Sequence, residues 1–516
     1  MTTLKSLLSD DNCYLALKAK DARFDGRFFT GVTSTGIYCR PVCSVKTSQR
    51  KNCRFFAHAA QAESAGFRPC LRCRPELAPH SVSWCIQDAS YILAHQAALL
   101  LDEPESWTLE TPSVEKLAER LGVSSRHLRR IFEAQFGVTP LQYLQTRRLL
   151  TAKQLLADTD MPVAQVAFVS GFASVRRFNA AFVQHYRLNP TQLRQHGAPQ
   201  IGGGGGIVLR LGYRPPYDVA AMLAFLARHC IDTIEFIANN AHQTSAGMTL
   251  GIEFGGKLHT GWLLVSFDEP RCQLVLRVSD SLMGALPVVI RRVRAMFDLD
   301  ADPATINSAL ESSFPGGNER RVPGAIDGFR LAIEAVLGQQ ITVAAARTLG
   351  QRLVNQFGEV IDTPWPRLSR LFPAPSVLAA ASSDALGQMG IIRQRQAAIV
   401  GIAQLVAAKR LQLNASADVN ATVALLKSLP GIGDWTAQYI AMRALRWPDA
   451  FPAGDVALQN AMGVRQSKNP ARLAEQASLQ WKPWRGYAVI RAWAGFLDPG
   501  LVPAPSSPIS LTLLNS

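Results

Sequence analysis

Hydrophobic positions change period several times along the chain, and each change marks a candidate module. Helical spacing starts near Trp84 and runs through YILAHQAALLLDE. From Thr111 to Arg194 the helical pattern is almost continuous. Within it, VEKLAERL and SSRHLRRIFEAQFG are amphipathic segments separated by Gly122. VAQVAFVSGF and ASVRRFNAAFVQHYRLNPTQLR repeat the arrangement around Gly171, and YLQTRRLLTAKQLLADT joins the two units as one long helix. Five consecutive glycines, Gly202 to Gly206, then interrupt the pattern. No regular element tolerates such a run, so it reads as a flexible tether. Beyond it, IVLRLG reads as a strand, Pro215-Pro216 as a turn and DVAAMLAFLARH as a helix. TLGIEFG, GWLLVSFD and CQLVLRV alternate like strands, up to about residue 300. Helices dominate again from about Ala304 to Leu497, and the tail LVPAPSSPISLTLLNS is Pro/Ser-rich and loosely held.

Length and charge narrow the reading. A chain of 516 residues is too long for one core and implies about three or four domains. The net charge is +15. Residues 1–206 hold 25 Lys+Arg against 16 Asp+Glu, and residues 207–516 hold 29 against 23. The excess is thus spread along the chain, as a polyanionic partner requires. No run approaches the roughly 20 apolar residues of a membrane span, and MTTLKSLLSDDNCY lacks a signal-peptide core. Nine cysteines, an odd number, point to a reducing compartment. The expected location is the bacterial cytoplasm, with nucleoid association through DNA.

Four of those cysteines form close pairs, Cys39-x3-Cys43 and Cys70-x2-Cys73. Each short spacing lets a turn present two thiolates to a tetrahedral Zn²⁺. Arg40, Lys46, Arg50, Lys51, Arg54, Arg68, Arg72 and Arg74 crowd the same stretch and suggest DNA. Such a site is usually structural, yet zinc also keeps thiols deprotonated and potentially nucleophilic.

In the two helix-turn-helix candidates, Ser124 and Ser174 stand where N-caps are needed. Arg126, His127, Arg129 and Arg130 lead the first recognition helix, and Arg176, Arg177 and Asn179 lead the second. Arg126, Arg129, Arg176 and Arg177 are the candidate DNA contacts. Further on, LPGIG lies between two helices, where Gly431 and Gly433 allow a tight hairpin whose backbone N–H groups approach a phosphate. Downstream, Asp455 in FPAGDVALQ sits in a Pro/Gly loop before a helix. On its own that is a helix cap; beside the hairpin it is also a candidate catalytic acid.

TSTGIYCRPVCSVK and AGFRPCLRCRPE closely resemble the amino-terminal domain of the Ada protein of the bacterial adaptive response, over about residues 10–80. The resemblance implies one zinc ion on Cys39, Cys43, Cys70 and Cys73, and methyl transfer from a DNA phosphotriester to Cys39. Thr35, Lys46 and Arg68 fall where that family contacts the DNA backbone. Arginine is usual at the second of these, so Lys46 offers a point charge without a bidentate fork. Four thiolates on Zn²⁺ carry a formal charge of about −2, which methylation lowers to about −1, so methylation should tighten DNA binding.

The paired units resemble the AraC-type DNA-binding domain. GFASVRRFNAAFVQHYRLNP matches its second-unit signature, with Leu188 where glycine is common. Residues 207–497 resemble the AlkA-type 3-methyladenine DNA glycosylase, through YRPPYDVAAMLAFLARH, IDGFRLAIEAVLGQQITVAAARTLG, LPGIGDWTAQYIAMRAL and WKPWRGYAVIRAW. That resemblance implies a base-flipping enzyme in which Asp455 stabilises oxocarbenium-like charge and activates water. Trp435, Tyr439 and Trp493 map to its aromatic pocket, which suits a cationic base. Gln340 stands where an apolar wedge fills the hole left by the flipped base. The carbonyls of Lys427, Leu429 and Ile432 map to a monovalent or divalent ion site at the hairpin. Trp435 occupies the place of the Schiff-base lysine of bifunctional relatives, which implies a monofunctional enzyme. No PCHR motif occurs, so base-alkyl transfer is not expected.

The predicted fold is multidomain, mainly α with α+β parts. It comprises a four-cysteine zinc domain (1–80), a double helix-turn-helix domain (81–198), a Gly-rich linker (199–206), an antiparallel-sheet α+β subdomain (207–300), a helical helix-hairpin-helix domain (301–505) and a tail (506–516). The predicted function joins a methylphosphotriester-activated transcriptional regulator to a glycosylase for 3-methyladenine and related alkylated purines. Its partners are double-stranded DNA and RNA polymerase, with no membrane. The competing reading is a transcription factor whose glycosylase-like half only binds DNA.

Overall fold

The structure is a computed structural model that describes residues 9–80, 89–107, 112–196, 206–240 and 243–497. The helix start expected at Trp84, the glycines at 202–205 and the tail at 506–516 lie outside them.

The first module is built on a four-stranded sheet of order β3-β1-β2-β4. Its strands are β1 (Phe29–Val32), β2 (Ile37–Cys39), β3 (Cys53–Phe56) and β4 (Arg68–Pro69). β2 runs parallel to β4, with Tyr38 opposite Pro69. That register brings Cys39, at the end of β2, beside Cys70, which follows β4. Phe29, Tyr38, Ala62 and Phe67 form the small core beneath.

The helix-turn-helix pair follows from its caps. Ser124 accepts from the His127 N–H and starts helix Ser125–Phe136. Ser174 accepts from the Arg177 N–H and starts helix Val175–Tyr186. Gly122 and Gly171 adopt positive φ at the two turns, 66° and 86°, conformations that cost glycine little. The joining helix spans Pro140–Asp158, opened by a Thr139/Gln142 capping box.

A five-stranded antiparallel sheet of order β5-β9-β8-β7-β6 comes next. Its strands are β5 (Ile207–Gly212), β6 (Glu235–Asn240), β7 (Gln243–Phe254), β8 (Lys257–Asp268) and β9 (Gln273–Val278). β6, from EFIANN, was not among the expected strands; its polar end hides the alternation.

The helical remainder runs from Pro303–Leu310 to Arg485–Leu497 around Leu331, Ile333, Leu353, Ile399, Ile440 and Trp481. Apolar packing also crosses the glycine run. Leu149 and Leu155 of the joining helix, with Phe178 and Phe182, share one cluster with Leu209 and Leu211 of β5 and Leu263 of β8. No helix among the described residues is long and apolar enough to cross a membrane.

Candidate active site and zinc centre

The hairpin comprises helix Val419–Lys427, a turn, and helix Asp434–Arg443. Gly431 has φ +84°, and a Cβ there would lie 2.9 Å from the Gln394 carbonyl oxygen. Gly433 caps the second helix, and a Cβ there would meet nothing within 4 Å. Its open surroundings and the helix N-terminus suit a phosphate. The Gln339 side chain donates to the Gly431 carbonyl at 2.9 Å and to the Thr436 hydroxyl at 3.0 Å. The Arg395 guanidinium in turn donates to the Gln339 carbonyl. These contacts tie the loop at Gln340 to the hairpin. Gln340 itself is exposed at the loop tip, with φ +53°.

The α-helical spacing of four puts Trp435, Tyr439 and Arg443 on one face of the second helix. Trp435 and Tyr439 stack at 5.1 Å with a 12° interplanar angle. Tyr439 meets Trp493 at 6.3 Å. Asp455 caps helix Val456–Ala461, accepting from the Leu458 N–H at 2.7 Å. It also accepts from two indoles. Trp435 Nε1 donates to Oδ2 at 2.8 Å, and Trp493 Nε1 donates to Oδ1 at 3.0 Å. The cap and the placement beside the aromatic wall are therefore both properties of one half-buried carboxylate.

Arg443 lies below this wall, 5% exposed. It donates to the Tyr439 hydroxyl, to the Pro323 carbonyl at 2.8 Å and to the Gly324 carbonyl at 3.2 Å. Its guanidinium sits 4.8 Å from the Phe225 ring centre and 5.2 Å from that of Tyr439. A cavity lined by Asp218, Met222, Phe225, Arg320, Arg321 and Trp493 opens beside it. Through Trp493 the cavity borders the residue that holds Asp455. Arginines outnumber the one aspartate in this lining, so aromatic faces, not net charge, would have to attract a cationic base.

In the first module the Sγ atoms of Cys39, Cys43, Cys70 and Cys73 all lie within 4.8 Å of one another. Tetrahedral Zn–S bonds of about 2.3 Å set sulfurs roughly 3.8 Å apart, so the four thiols fit the ion. Cys43 and Cys70 are buried, while Cys39 and Cys73 are partly exposed. The Arg40 N–H donates to Cys73 Sγ at 3.3 Å. Hydrogen bonding with Cys39 first, and with Cys73, pulls the Cys43 thiol down to about 7, against Cys70 and burial, which push it up.

Comparison places this architecture. A protein of Mycobacterium tuberculosis, "Probable bifunctional transcriptional activator/DNA repair enzyme AlkA", is 34% identical over 502 residues, covering 95% of this chain and 97% of the relative. The chain belongs to this family. Family models match in the same order: "Metal binding domain of Ada" over residues 12–76, "Helix-turn-helix domain" over 117–196, "AlkA N-terminal domain" over 208–327 and "HhH-GPD superfamily base excision DNA repair protein" over 333–484. "DNA-3-methyladenine glycosylase 2" of Escherichia coli is 30% identical over 283 residues, covering 55% of this chain and 95% of its own. "Regulatory protein ada" of Salmonella typhimurium is 37% identical over 194 residues, covering 37% of this chain and 51% of its own.

Within that frame the expected residues fall into three groups. Asp455, Trp435, Tyr439 and Trp493 converge, as do the four cysteines. Arg126, Arg176, Arg177, Thr35 and Lys46 are exposed. Arg129 is exposed too but pairs with Glu115 at 2.8 Å. Arg68 is half-buried and donates to the Tyr186 carbonyl at 3.4 Å, at the end of the second recognition helix. Phe225, Met222 and Arg443 were missed. The four-residue spacing from Trp435 was the available signal for Arg443; Phe225 joins the site from about two hundred residues away.

Proposed function

We propose that this chain is a bifunctional alkylation-response protein. Its front half is a methylphosphotriester-activated transcriptional regulator, and its back half a monofunctional DNA glycosylase for 3-methyladenine and related alkylated purines. The supporting observation is the Asp455 carboxylate held by the Trp435 and Trp493 indoles at the edge of an aromatic wall.

The reaction follows from that geometry. A damaged purine is flipped out because its C1′–N bond is unreachable in the stack. Gln340, at the exposed tip of its loop, fills the vacated space. The aromatic faces receive the base. As the glycosidic bond breaks, its electron pair leaves with the base and positive charge grows on the sugar. Asp455 stabilises that charge and accepts a proton from the water that bonds to C1′. Both carboxylate oxygens already accept indole N–H groups, so the side chain needs no reorganisation before reaction. Trp435 replaces a lysine nucleophile, so the product is an abasic site.

In the front half, zinc supplies a thiolate at neutral pH. Cys39, partly exposed, attacks the methyl carbon of a neutral phosphotriester. The methyl–oxygen bond breaks, and the electron pair stays on a phosphate oxygen. Thr35, Lys46 and Arg68 steady the DNA backbone. Arg126, Arg129, Arg176 and Arg177 contact promoter DNA, and RNA polymerase is the partner of the activated state. The hairpin carbonyls of Lys427, Leu429 and Ile432 would hold a monovalent or divalent ion, whose positive charge would favour DNA phosphate nearby. The expected domain boundaries and cytoplasmic location belong to the same reading. Replacing Asp455 by Asn and measuring 3-methyladenine release tests the repair half; a methyl mass gain on the Cys39 peptide after incubation with methylated DNA tests the other.

A further inference from the structure

The guanidinium of Arg214 is fully buried, 0% exposed, just after β5. Its five N–H groups find five carbonyl oxygens. Nε donates to Asp25 at 2.8 Å. Nη1 donates to Asp300 at 2.8 Å and Ala301 at 3.1 Å. Nη2 donates to Pro79 at 3.2 Å and His80 at 2.9 Å. A guanidinium has five N–H donors, so this one is saturated. Three acceptors belong to the zinc module and two to the glycosylase-like half.

The surrounding surface is shaped for the same contact. A Cβ on Gly26 would lie 3.2 Å from Arg214 Nη2, and one on Gly212 would lie 2.5 Å from the Leu77 carbonyl oxygen. Arg27 pairs with Asp302 at 3.0 Å. The His80 N–H donates to Asp300 Oδ1 at 2.6 Å. Asp25, whose carbonyl accepts from Arg214, grips Arg40 through both carboxylate oxygens. Arg40 in turn donates to the Cys73 sulfur from its backbone and to the Cys73 carbonyl from its side chain. One continuous set of buried hydrogen bonds thus runs from the thiolate cluster to the sheet of the other half.

We propose that the zinc module and the glycosylase-like half are permanent docking partners through an interface centred on Arg214, so that the glycine run is dispensable for holding them together and zinc is required for it. Removing the guanidinium while the contact stays closed would leave five buried carbonyls without their donor, so the contact depends on Arg214. The inference is independent of either catalytic assignment.

The test uses the full chain, zinc-loaded, with a protease site placed in the glycine run. After cleavage the two fragments are expected to co-elute as a one-to-one complex of 56.2 kDa. Arg214→Gln, in the same cut chain, is expected to raise the dissociation constant about tenfold or more, with the packing of the joining helix on β5 still in place. Should that variant fold poorly, Arg27→Gln at the edge of the contact serves instead, raising the dissociation constant about tenfold. Stripping zinc from the cut wild-type complex with a chelator is expected to raise the dissociation constant by at least as much. Separate elution of the wild-type fragments at micromolar concentration, or an unchanged dissociation constant in Arg214→Gln, would overturn the interface. Unchanged association after zinc removal would overturn its dependence on the thiolate site.

Discussion

Trp435 Nε1 donates to Asp455 Oδ2 across 2.8 Å, joining the first turn of the hairpin's second helix to the loop that follows it. With Trp493 on the other oxygen, the carboxylate is aimed by two indoles; Trp435 stacks on Tyr439, and Trp493 lines the cavity. Positioning and substrate stacking are therefore separable by chemistry. Phe retains the ring and loses the N–H. Trp435→Phe is expected to lower kcat about tenfold or more with KM nearly unchanged, since a hydrogen bond to a charged group contributes about 1.5–3 kcal/mol. Trp435→Ala should impair both constants. Single-turnover excision kinetics make the comparison, and equal defects in the two variants would reject a positioning role.

Methylation of Cys39 should tighten DNA binding. One unit of negative charge is removed from a surface that faces phosphates, an effect of about 1 kcal/mol per close charge pair in water. Mobility shifts of methylated and unmethylated protein at matched low salt are expected to differ several-fold, and the gap should narrow as salt rises. Equal affinities would contradict the switch.

Acid should weaken the junction between the zinc module and the first helix-turn-helix unit. The His58 ring packs 5.0 Å from Phe136, and His95 packs 5.1 Å from the same ring. Burial first, then the neighbouring His95, pushes His58 down to about 4. Burial likewise lowers His95. The unfolded chain takes up these protons first, near pH 6.5. The stability from keeping the rings neutral is thus complete above that value and is lost as pH falls from 6.5 towards 4. Melting temperature is expected to drop between pH 7 and pH 5, with a shallower slope in His58→Gln.

The recognition helices yield a prediction about salt. Arg176 and Arg177 are exposed, and among the described residues neither side chain is in an ion pair. If one contacts a phosphate, its replacement by Ala should weaken binding to all sequences alike and reduce the salt slope by about one. Base contact should instead relax preference at one position. Arg129, already paired with Glu115, should show the smaller effect of the three.

Local chemistry was legible in the sequence, and distant closure was not. The Cys39-Cys43 and Cys70-Cys73 spacings, the serine caps and the LPGIG turn are short-range patterns whose geometry the backbone dictates. Asp455 was readable as a cap; Trp435 and Trp493 were read as pocket aromatics from family resemblance, and their hydrogen bonds to Asp455 were not foreseen. Arg214, set between a strand and two prolines, looked like part of a turn; its five acceptors lie in segments up to 189 residues away. Arg68 was expected on DNA from family resemblance; its contact with the Tyr186 carbonyl is one that only the tertiary fold creates. Phe225 and Arg443 are equally silent, since an aromatic on one helix and a cation on another resemble ordinary core until they meet.

The most direct measurement is release of 3-methyladenine from methylated duplex DNA by the intact chain and by Asp455→Asn. The expected result is release by the parent and a loss of about a hundredfold or more in the variant, with affinity for undamaged DNA unchanged. Release that is absent from the parent, or undiminished in Asp455→Asn, would contradict the assignment of Asp455 as the acid that faces the breaking bond.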